Sequence, residues 1–131
     1  MSEKKKIIFV CEHGAAKSIV AATYFNKLAQ ERGLQVQALA RGTNPDLGLS
    51  GYAVAGPLGD GLTPSQLTPQ KLLPEELEAA DFIVSFCELP EADVEKNHIE
   101  YWRNVPAVSE DYKKARDIIL IRIEDVLKDL T

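Results

Sequence analysis

A chain of 131 residues, 45% hydrophobic and 27% charged, has the size and composition of one soluble globular domain with a single core. Its net charge of −5 argues against general nucleic-acid binding, which needs a basic surface, and no apolar run approaches the roughly 20 residues that span a bilayer. Two cysteines, Cys11 and Cys87, do not make a disulfide framework, and no metal-ligand spacing surrounds them.

The basic start with Lys4, Lys5 and Lys6 reads as a solvated lead-in. The apolar run after it is too short for a secretory signal, so a cytoplasmic protein is expected, with no membrane or nucleic-acid partner and no cofactor. Residues 6–10 are continuously apolar and β-branched, the pattern of a strand buried on both faces of a parallel sheet. Residues 18–32 place Val20, Tyr24 and Leu28 on one helical face, with Gly33 as a stop. Residues 34–40 alternate and carry glutamines, which predicts a second, parallel strand at a sheet edge.

Arg41, Gly42, Thr43, Asn44, Pro45 and Asp46 carry turn chemistry at the end of that strand, where ligands sit in open α/β sheets. Residues 52–58 predict a short helix, and Pro74 opens another over 74–80 with Glu75 and Glu76 in its first turn. Residues 81–87 predict a third strand that carries Cys87 at its end. Residues 91–97 read as a polar turn or short helix, and 99–105 as a fourth strand broken by Pro106. From Ser109, a plausible N-cap, three- and four-residue steps through Ile119, Ile123 and Leu127 predict a helix nearly to the end.

The chemistry gathers between residues 7 and 18. An apolar strand ends at Cys11, small residues follow, then Lys17, then Ser18 at a helix start. Backbone N–H groups of such a loop and the positive end of the helix converge on one point and favour an anion there. A cysteine beside such an end is in the setting where thiols ionise near neutral pH. The reading is a loop that holds an oxyanion while Cys11 attacks it. Taken alone, Cys11 and Cys87 also fit buried small hydrophobes.

Cysteine, five residues, a base and serine, set between strand and helix, resembles the phosphate loop of the low-molecular-weight protein tyrosine phosphatases and the thioredoxin-coupled arsenate reductases. Ala40, Arg41, Gly42 and Thr43 resemble that family's segment after the second strand, residues 80–85 its third strand, and 112–130 its last helix. The resemblance implies a single domain over 1–131: an α/β three-layer sandwich with a four-stranded parallel sheet and helices on both faces. It implies Cys11 as nucleophile and Ser18 as the hydroxyl that stabilises the thiolate. The backbone of Glu12, His13, Gly14, Ala15, Ala16 and Lys17 would be the oxyanion cradle, with no metal. Cys87 resembles the reductases' second cysteine.

Three departures stand out. Lys17 replaces an arginine, exchanging a two-pronged grip for a point charge. Val105 stands before Pro106 where the family has the aspartate that protonates the leaving group. Gly14 replaces a loop-shaping asparagine. Glu110 and Asp111 lie near Val105 in sequence, but first-turn helix acids are the simpler reading. His13 reads equally as a second cation or proton donor and as an exposed loop residue. Tyr101 and Trp102 are read as core before cleft walls.

The resemblance thus implies phosphate-monoester hydrolysis through a Cys11 phosphocysteine, with low efficiency. An alternative is an arsenate-reductase-like redox enzyme using Cys11 and Cys87 with a thioredoxin-like thiol reductant. A third is a non-catalytic oxyanion-binding domain.

Overall fold

The fold is built outward from its first strand. In the computed structural model, which describes residues 5–66, 68–89 and 99–130, β1 (Lys5–Cys11) is followed by α1 (Lys17–Glu31), β2 (Val36–Gly42), α2 (Gly51–Leu58) and α3 (Pro74–Ala79). β3 (Phe82–Ser85), β4 (Ile99–Tyr101) and α4 (Tyr112–Leu130) complete the described elements. The strands form one parallel sheet in the order β2-β1-β3-β4. β1 therefore has a partner on each side, and Ile7 to Val10 are essentially inaccessible.

The period-two alternation of β1 divides its side chains between two cores. Ile7 and Phe9 join the larger core with α1, α4 and Ala53 of α2, whereas Ile8 and Val10 pack with Leu77 of α3, Ile83 and Leu89. The result is three layers, with the larger core on one face of the sheet. α4 buries Ala115, Ile119, Ile123, Val126 and Leu127 at the expected helical steps.

Element ends differ from the sequence reading for local reasons. β3 stops at Ser85, because the Ser85 hydroxyl donates to the Cys87 carbonyl (2.6 Å) and accepts the Cys87 N–H (3.2 Å). This side-chain-made turn puts Cys87 beyond the strand. β4 is only three residues long; Asn104, with φ of 68°, turns the chain away before Val105. α4 is capped by Asp111, not Ser109: the Lys114 N–H donates to Asp111 Oδ1 at 3.1 Å. The expected turn or helix over 91–97 lies outside the described residues.

β2 is an edge strand, as its glutamines imply, but the edge is closed. The Asn26 carboxamide accepts the Ala38 N–H (2.8 Å) and donates to the Ala38 carbonyl (3.1 Å), so one side chain imitates a neighbouring strand. Gln66 Oε1 accepts the Ala40 N–H at 3.3 Å. Gly42 pairs through both backbone groups with Gln70 and Leu72. Covering an edge in this way removes the template for strand addition. No described helix is long and apolar enough to cross a membrane.

Candidate active site

Register places the two thiols on one rim. Cys11 lies opposite Gly42 on one side, and Val10 lies opposite Ser85 on the other, so Cys11 and Cys87 both emerge at the carboxyl ends of the strands. They line a single cleft of about 260 Å³ and are not joined in a disulfide. Glu12, His13, Ala16 and Lys17 form one wall; Phe86, Ser50, and Ala107, Val108 and Ser109 form the rest.

Cys11 is 92% shielded, being 8% exposed, and its Sγ lies 2.9 Å from Ser18 Oγ. Ser18 does not open the helix. Lys17 does, with Ala16 before it, and Ser18 sits fully buried in the first turn with its hydroxyl turned to the sulfur.

The loop between them is turned inside out relative to an ordinary turn. Carbonyls of Cys11, Glu12, His13 and Ala15 accept N–H groups from Thr43, Asn44, Asp46 and Ser50, respectively. Among the described residues, no hydrogen bond uses the N–H groups of Glu12, His13, Gly14, Ala15 or Ala16. Such groups are costly to leave unmet, and grouped at a helix N-terminus they form a concavity that suits an oxyanion. Gly14, with φ of 61°, supplies the left-handed step, and Gly14 and Ala15 are buried in the loop rather than lining the cleft.

Lys17 is partly buried at the cleft, and among the described residues its ammonium has no ion-pair or hydrogen-bond partner. His13 stands at the mouth with its side chain 53% exposed. Its Nδ1 is 3.1 Å from Asp46 Oδ1 and its Nε2 is 3.7 Å from Glu12 Oε2. Burial pushes the Cys87 thiol above its ordinary pKa; the Ser85 hydroxyl opposes this, and the neighbouring Cys11 and Glu12 add to it electrostatically.

Other expectations for the site change in placement. Val105 does not face the cleft: it is 6% exposed and packs in the larger core. The residues of that segment facing the thiols are Ala107, Val108 and Ser109, so the cleft receives no carboxylate from it. Asp111 is occupied as the helix cap, and neither it nor Glu110 lines the cleft. Trp102 is core, packed on Phe9 and Phe86, while Tyr101 lies under the Arg103 guanidinium. Ser50 and Asp46 join the loop through contacts that sequence patterning does not signal. Their approach depends on the 43–50 segment folding back on the loop, which leaves no local signal in composition.

A family model for low molecular weight phosphotyrosine protein phosphatase matches residues 6–126. No curated protein sequence matches significantly. Among solved structures, the chain is similar to YfkJ from Bacillus subtilis (TM-score 0.85, 16% identity, 98% of this chain and 95% of that one covered). It is similar to the thioredoxin-dependent arsenate reductase of Corynebacterium glutamicum (0.74, 19%, 98% and 63%). It is also similar to a low molecular weight protein tyrosine phosphatase from T. tengcongensis (0.74, 18%, 97% and 100%). At these identities the structural likenesses establish the α/β fold.

Proposed function

The chain belongs to the low molecular weight phosphotyrosine protein phosphatase family, and from that premise we propose that it hydrolyses phosphate monoesters through a phosphocysteine on Cys11. The observation that carries the reading is the 2.9 Å contact of Cys11 Sγ with Ser18 Oγ beside a loop whose N–H groups have no hydrogen-bond partner among the described residues. Ser18 donates to the thiolate and steadies it. The backbone N–H groups of Glu12, His13, Gly14, Ala15, Ala16 and Lys17 hold the non-bridging oxygens, and the Lys17 ammonium adds charge without a fork.

The sulfur lone pair forms an S–P bond as the ester P–O bond breaks. Water then attacks phosphorus, and the bond pair returns to sulfur. We treat residues 1–131 as one working unit. We place it in the cytoplasm, whose reducing conditions suit two unpaired thiols.

The test combines protection and turnover. Phosphate or arsenate should slow alkylation of Cys11 at neutral pH, and release of phosphate from an aryl phosphate should vanish in Cys11→Ser. Indifference of alkylation to both anions removes the anion-loop reading. Protection without turnover assigns the chain to oxyanion binding alone.

A second reading rests on Cys87 sharing the cleft with Cys11. In it, Cys11 first bonds the central atom of the bound oxyanion. Cys87 then attacks the Cys11 sulfur, and that bond pair leaves with the oxyanion, which is thereby reduced by two electrons. A thioredoxin-like thiol reduces the Cys11–Cys87 disulfide that results. Mild peroxide should then yield a Cys11–Cys87 disulfide; a mass spectrum showing only Cys11 sulfenic acid counts against it.

A further inference from the structure

A phosphate ester whose phosphorus sits over Cys11 is displaced in line, so its leaving oxygen points away from the sulfur toward the mouth of the cleft. That oxygen needs a proton, and Ala107, Val108 and Ser109 offer no carboxylic acid. Among the side chains lining the cleft, the imidazole of His13 is the type that gives and takes a proton near neutral pH.

His13 is held at two points by one residue. The Asp46 N–H donates to the His13 carbonyl at 3.0 Å, and the Asp46 carboxylate meets His13 Nδ1 at 3.1 Å. A carboxylate this close to Nδ1 restrains the ring, although the alignment of the pair is not that of a hydrogen bond. Nε2 then remains for a substrate: Glu12 Oε2 is 3.7 Å away, beyond hydrogen-bond reach.

We infer that His13, positioned by Asp46, is the proton donor and acceptor of this cleft in place of a carboxylic acid. The inference rests on the phosphatase reading above. In the first step the Cys11 lone pair forms the S–P bond, the P–O bond breaks, and the leaving oxygen takes the proton from Nε2. In the second, water attacks phosphorus, its proton passes to Nε2, and the S–P pair returns to sulfur. Phosphate, the alcohol, the thiolate and the imidazolium result. His13 is the catalytic residue of this step, and Asp46 is a positioning residue.

The experiment compares two esters that differ in how much they need an acid. Phenyl phosphate has a poor leaving group; 4-nitrophenyl phosphate has a good one. His13→Gln should lower kcat/KM for phenyl phosphate by about 10²- to 10⁴-fold and for the nitrophenyl ester far less. Asp46→Asn should show the same contrast in weaker form. Imidazole added to His13→Ala should restore turnover of phenyl phosphate. Equal losses on both esters, no loss on either, or no rescue overturns the inference while leaving the phosphatase reading standing. No phosphate release from either ester by the unaltered chain overturns both.

Discussion

Gly14 and Gly42 touch backbone to backbone. A Cβ built on Gly14 would lie 2.8 Å from the Gly42 nitrogen, and one built on Gly42 would lie 2.6 Å from the Gly14 nitrogen. The loop after β1 is therefore set by its contact with the end of β2. Gly14→Ala meets this clash and a φ of 61° together; Gly42→Ala meets the clash alone. Each should destabilise the fold by about 1–3 kcal/mol, read by denaturant unfolding. Each should also weaken protection of Cys11 by phosphate. Full protection in both variants would show that the loop does not depend on this contact.

Placement of the acid-bearing segment makes a second prediction. Ala107 faces the cleft and Val105 faces the core. In a His13→Gln background, Ala107→Asp combined with Lys17→Arg should raise turnover of phenyl phosphate by about 10- to 100-fold. Val105→Asp buries a lone carboxylate and should instead destabilise by roughly 2–4 kcal/mol without a gain in rate. Steady-state kinetics with thermal melting separate the two. A gain from Val105→Asp would mean that the segment is placed differently in solution.

Alkaline pH should destabilise the protein. Burial raises Cys87 above its ordinary 9.0. Burial, followed by hydrogen bonds to Asp60 and Tyr112, raises Tyr24 above 10.0, and burial also raises Tyr112 above 10.0. The folded state then holds protons that the unfolded chain releases, so these contributions are complete below the unfolded pKa values and decline above them. Stability should fall from about pH 9 upward, with a shallower slope above pH 10 in Tyr24→Phe. A slope unchanged by that substitution would assign the loss to other groups.

The closed edge of β2 provides a fourth test. Asn26→Leu removes both partners of Ala38. It should cost about 1–3 kcal/mol and shift the chain toward concentration-dependent association through the exposed edge. Sedimentation at increasing concentration checks this. A monomer of unaltered stability would show the carboxamide to be dispensable.

Periodicity and residue type were sufficient for much of this molecule. The apolar run of β1, the three-and-four spacing of α4 and the glutamines of β2 report burial on both faces, on one stripe and at an edge, because those patterns are set by backbone repeat alone. Cys11, Lys17 and Ser18 were legible because strand, loop and helix start follow one another in the chain. Tertiary structure alone decided what depends on distant segments meeting: Gly42 against Gly14, Asp46 on His13, Ser50 at the loop, and Ala107 rather than Val105 toward the thiols. Even Ser18 shows the division. Its place at the start of α1 is a matter of sequence, but its hydroxyl goes to Cys11 Sγ instead of capping the helix because the end of β1 brings the sulfur within 2.9 Å.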